Sequence, residues 1–245
     1  MRPVVEKILA EVEQRSGLPV LVYEDPSLTT IATIVYARGG APAHLLSYRP
    51  QGGDPSYQIA FQAGHALRFF SLPAEKRMNF GLPNSRRDEA IRRLQIPGTL
   101  PSKVQDMLLD GLLLQLRSMS VGFRVDEWLR QSHPELRQLQ AESVRQQLQE
   151  NAKALSPQIR QSMPKQVVNG NTAMNGAYAL FWSRVLGEAQ QWLPYKALGY
   201  ENQAGALLKA LDMVPDEPGQ DCALVDQWAL TLGLAGTYEW SPYHA

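Results

Sequence analysis

Residues 57–67 read YQIAFQAGHAL, from Tyr57 to Leu67. The segment belongs to a helix with clear punctuation at both ends. Asp54 is a good N-cap, Pro55 suits the first helical position, and Leu72-Pro73 breaks the helix just after about Phe70. A helix puts residues four apart on one face, so Phe61 and His65 face the same way, with Gln62 beside them.

Working outward, the N-terminal side holds a first helix and three short runs. Val4, Val5, Ile8, Leu9 and Val12 follow helical spacing, and Gly17 ends the segment. PVLVY (19–23), IATIVY (31–36) and AHLLSY (43–48) have strand length and turn-forming borders. The Gly39-Gly40 turn predicts antiparallel pairing of the second and third runs. On the C-terminal side the pattern becomes helical. A short helix spans 85–94. An apolar one spans 102–119, greasy almost all round and so expected to be buried. Further helices are expected at 124–131, 134–153, 157–163, 171–191, 201–212 and 221–233, with Asn171 as an N-cap. Strands confined to the first quarter give an α+β class. The expected division is 1–120 and 121–245, the second part a helical region packed against the first.

Composition narrows the function classes. The 245 residues are 44% hydrophobic and 20% charged, with 24 basic and 24 acidic groups. Such a chain buries a core and is not a strongly cationic nucleic-acid binder. One cysteine, Cys222, excludes an intramolecular disulfide and a cysteine-based zinc knuckle. No apolar run reaches the roughly 20 residues of a membrane helix. The first residues are charged at helical spacing without a signal-peptide core, so a cytoplasmic protein with no membrane partner is expected. Charge is uneven: residues 188–245 carry 2 basic and 8 acidic groups, and 68–103 carry 8 and 3.

In HExxH metallopeptidases one helical turn carries two histidine ligands four residues apart, and a glutamate after the first activates the zinc-bound water. Gly64-His65 matches the second half of such a turn. Tyr57, Ile59, Ala60, Gly64 and His65 together resemble the active helix of ImmA/IrrE-type metallopeptidases, which reads approximately F-T-L-A-H-E-L-G-H-L-L. The preceding order of helix, three strands and helix is also similar to that family's minimal zincin domain. The resemblance covers roughly residues 1–120. It implies a zincin fold and a third, acidic ligand on the next long helix, where Asp110 falls near the implied position.

Two departures remove the chemistry that the resemblance would imply. Phe61 stands at the first histidine and has no lone pair for zinc. Gln62 stands at the glutamate and cannot deprotonate water. The implied protein is a pseudoenzyme with no bound cofactor, which acts through another protein or peptide. Phe61, Gln62, His65 and Asp110 form the remnant site, His65 and Asp110 are expected to approach each other, and the third strand (His44, Leu46, Tyr48) is expected to hold an extended peptide. The plain reading beside it makes His65 a hydrogen-bonded structural residue, Gly64 a point of close helix–strand approach and His44 a solvent-facing strand residue.

Two alternatives stay open at this stage. One is an active metallohydrolase with a rearranged zinc set of His44, His65 and Asp110. The other is a scaffold or nucleic-acid-associated subunit that uses Arg86, Arg87, Arg92 and Arg93. Against the latter, these arginines pair readily with Asp88, Glu89 and the acidic C-terminal block.

Overall fold

The computed structural model describes residues 1–50 and 52–244, and its class is α+β. The first elements are α1 (Pro3–Ser16), β1 (Val20–Glu24), β2 (Ala32–Val35), β3 (His44–Tyr48) and α2 (Ser56–Phe70). Pro3 opens α1, and Gly17, at φ 77°, ends it in the left-handed conformation that glycine adopts without strain. Pro55 is the N-cap of α2 and not its first helical residue, and Asp54, one place earlier, accepts the Ser56 N–H at 2.9 Å. There follow β4 (Met78–Gly81), α3 (Arg87–Arg93), α4 (Ser102–Ser132), α5 (Arg137–Lys153), α6 (Pro157–Ser162) and α7 (Lys165–Leu186). The chain continues through α8 (Leu193–Ala197), α9 (Glu201–Met213), α10 (Asp221–Leu232) and β5 (Glu239–Pro242).

The chain forms two compact units. One comprises 1–78, 122–143 and 242–245, and the other 79–121 and 144–241. This partition differs from a cut at residue 120. The segment 79–121 belongs with the later helices, and 122–143 returns to the N-terminal elements.

In the first unit the strand order is β1-β3-β2. As expected from Gly39-Gly40, β2 runs antiparallel to β3; β1 runs parallel to it. The middle position of β3 overturns the expected role of His44, Leu46 and Tyr48. A strand paired on both sides has no backbone donors or acceptors left for an added peptide. His44 and Leu46 are also fully buried, on the face that carries Val20, so His44 does not face solvent. On the opposite face the register aligns Leu21, Leu45 and Val35 in one row, 53%, 40% and 58% exposed.

The second unit holds most of the helices and the pair β4–β5, two strands absent from the sequence reading. Helix α4 is one continuous element of 31 residues, where separate helices ending near 119 and starting at 124 were expected. Its apolar surface is not wholly covered. Leu109, Leu112 and Leu116 are buried, while Met107 and Leu114 are exposed. Helix α7 begins at Lys165, so Asn171 lies inside it and is not its N-cap.

Candidate functional site

The α2 turn carries Tyr57, Phe61 and His65 at successive four-residue steps, one stripe along the helix. The rings of Tyr57 and Phe61 lie 6.1 Å apart, and those of Phe61 and His65 lie 4.9 Å apart, edge to face. The stripe faces the last part of α4, within the same unit. Two glycines let these helices close on each other. A Cβ at Gly64 would stand 2.5 Å from Val125 Cγ1, and a Cβ at Gly122 would stand 3.1 Å from Phe61 Cζ and 3.8 Å from His65 Nε2. Gly64 therefore serves a helix–helix approach, not the helix–strand approach expected from the sequence.

Gln62 has a structural task. Its amide Nε2 donates to the Ala32 carbonyl at 3.1 Å. The Arg49 N–H donates to the Ile31 carbonyl, which sets the antiparallel pattern. Backbone groups of Ala32 and Ile34 then point away from β3, toward the open edge of β2. Gln62 thus ties α2 to the edge strand.

Below Phe61 lies an acid that the sequence reading missed. Asp126 is fully buried on α4. Its Oδ1 accepts from the Tyr57 hydroxyl at 2.6 Å and from Gln140 Nε2 at 3.0 Å, and Gln140 also donates to the Asp126 carbonyl. Burial pushes its carboxyl up to about 7, against the pull of the Tyr57 and Gln140 hydrogen bonds, with Glu127 adding a smaller push. An aspartate one helical turn after Gly122, amid buried residues, was the available signal.

The structure brings Phe61 and His65 together and adds Gly122. Asp110 lies twelve residues before Gly122 on α4, a rise of about 18 Å along the helix axis. It is exposed, and its carboxylate accepts from Arg87 at 2.9 Å. The expected approach of Asp110 to His65 gives way to this pairing, which supplies the partner a carboxylate needs.

The rearranged zinc set is not assembled. Among the described residues no three His, Cys, Asp or Glu side chains gather where they could hold a metal ion. His44 Nδ1 accepts the Ala37 N–H at 2.9 Å, and its ring lies 4.7 Å from that of Phe70. Burial moves its pKa below the ordinary histidine value, so it is a neutral core residue with Nε2 protonated. Nor do the residues at the α2 turn fit zinc. They offer one imidazole, one phenyl ring and a glycine where a tetrahedral site needs at least three donors.

Three of the four clustered arginines are engaged. Arg87 bridges Asp106 and Asp110, Arg93 pairs with Glu89 at 2.7 Å, and Arg86 pairs with Glu239 and lies 4.0 Å from Glu89. The plain expectation of pairing with Glu89 and the acidic C-terminal block matches this arrangement.

No protein-family model matches the chain, and neither a curated protein nor a solved structure does. Among the described residues no helix is long and apolar enough to cross a membrane.

Proposed function

We propose that the protein is a cytoplasmic, zincin-like module of the ImmA/IrrE type that has lost peptidase chemistry and acts by binding another protein or a peptide. One observation carries this reading. The space beside His65, where an acidic ligand from the next long helix would project, is shared by the Phe61 ring and the bare backbone of Gly122. Two losses support each other there, because the ring occupies room that any side chain at 122 would need. Gln62, at the place of the general base, is committed to Ala32.

The binding role follows from the sheet. Strand β2 ends the sheet, and with the Ala32 carbonyl held by Gln62 an extended segment would add to its outer edge at Ile34. That strand replaces β3 as the docking rail. Alternate side chains of the added segment would extend the apolar row of Leu21, Leu45 and Val35.

The test restores what was lost. Phe61→His, Gln62→Glu and Gly122→Glu together should create a site that takes up one zinc ion per chain and then loses it on His65→Ala. Failure of a folded triple variant to bind zinc would contradict the assigned geometry.

A further inference from the structure

In the second unit three aromatic rings meet where β4 pairs with β5. The ring of Phe80 stacks on Tyr238 at 4.6 Å and meets Trp240 edge-on at 5.1 Å. All three rings are half-exposed. One carboxylate holds two of them: Asp226 Oδ1 on α10 accepts both the Tyr238 hydroxyl at 2.6 Å and the Trp240 indole N–H at 2.8 Å. These bonds use the only hydrogen-bond donors of the two side chains, so what remains for a ligand is the π-surface and the second oxygen of an exposed carboxylate. Burial, with the hydrogen bond to Asp226 next, drives the Tyr238 phenol well above its ordinary value, so it stays a donor to that carboxylate.

Asp226 is the carboxylate on the shelf, and it belongs to a C-terminal block, 188–245, whose sequence carries 8 acidic and 2 basic residues. Arg86, in the turn after β4, pairs with Glu239 and Glu89, and Arg86 and Arg93 donate to the Gly236 and Ala235 carbonyls. One turn before Asp226, the Cys222 thiol is pushed up to about 11, by burial first and then by Asp226 and Asp221, with Arg117 opposing. Aromatic faces beside a carboxylate suit a flat cation that can stack on a ring while it hydrogen-bonds to that carboxylate. A guanidinium does both at once, and an ammonium does only part of it.

We infer that the Phe80–Tyr238–Trp240 shelf with Asp226 is a docking site for an arginine-bearing segment of a protein partner. The arginine stacks on the aromatic shelf and donates to the free oxygen of Asp226. The site lies wholly within the second unit and does not depend on the reading of the α2 turn.

The test is calorimetric titration of the full chain with a capped peptide of alternating arginine and glycine at low ionic strength, with the lysine counterpart for comparison. The arginine peptide should bind more tightly than the lysine peptide and weaken as salt is raised. Asp226→Asn keeps an oxygen to accept from Tyr238 and Trp240 but removes the charge. It should weaken binding several-fold without changing the thermal melt. Trp240→Leu should weaken it about tenfold, the scale of a partly desolvated cation–π contact. Trp240→Phe keeps a ring in place and should fall between the two. No binding by the unaltered protein, or an affinity unchanged from it in both Asp226→Asn and Trp240→Leu, would overturn the assignment.

Discussion

The Phe61 ring lies against Gly122 so closely that a methyl group at 122 would come within 3.1 Å of its Cζ. A bulky ring on α2 and a glycine on α4 thus occupy one small volume, and neither position offers a donor to His65. The same two helices meet again at Gly64.

That second contact makes the first prediction. In a helix interior alanine is ordinarily better than glycine by about 1 kcal/mol. At Gly64 the added methyl would come within 2.5 Å of Val125 Cγ1, and overpacking costs about 1–3 kcal/mol. Gly64→Ala should therefore lower stability, by up to about 2 kcal/mol. Gly205 on α9 has open space around it, and Gly205→Ala should raise stability by up to about 1 kcal/mol. Urea unfolding of both variants checks this pair of opposite signs.

Asp126 sets a pH dependence. Its carboxyl titrates near 7 in the folded chain and near 4 when unfolded. Between those values the folded protein holds a proton that the unfolded chain has released, so stability falls as pH rises. The contribution is fully present below about pH 4 and is lost by about pH 7, with a size on the order of 4 kcal/mol. Glu127 opposes it at the acid end, because the Arg130 hydrogen bond lowers its carboxyl. Asp126→Asn keeps an acceptor for Tyr57 and should flatten the curve of unfolding free energy between about pH 4 and pH 7. An unchanged slope would show that the acid is not held in this way.

Three amides close a ring between α4 and α7 in the second unit. Asn171 donates to Gln115 at 2.8 Å, Gln115 to Asn175 at 2.8 Å, and Asn175 back to Asn171 at 3.0 Å. Removing one member strands the others, at about 1–3 kcal/mol. A double-mutant cycle of Gln115→Ala with Asn175→Ala should show a coupling of about 1 kcal/mol or more, since the second removal finds the ring already open. Additive losses would contradict a closed ring.

Much of this architecture is legible in local pattern. Short runs with glycine borders mark β1 to β3, and Gly39-Gly40 marks the antiparallel pair. The central place of β3 is not local, because it depends on β1 joining in parallel after a long connection. Residues 118–122, Ser-Met-Ser-Val-Gly, look like a helix break but lie within α4, and Gly122 is explained by what packs on it from α2. Strands β4 and β5 have four residues each and come from distant parts of the chain, so neither carries a periodic signal. Of the residues singled out in the sequence, Phe61, Gln62 and His65 lie together because they are spaced along one helix. Asp110 was chosen by its distance along the chain, and the residue that actually faces His65 from α4 has no side chain.

The account depends on the α2 turn having lost its metal-binding chemistry, and the metal content of the native protein tests that most directly. Elemental analysis after zinc exposure and desalting should find no stoichiometric zinc in the unaltered chain, and the same result for His65→Ala. One tightly held zinc per chain that disappears in His65→Ala would contradict it.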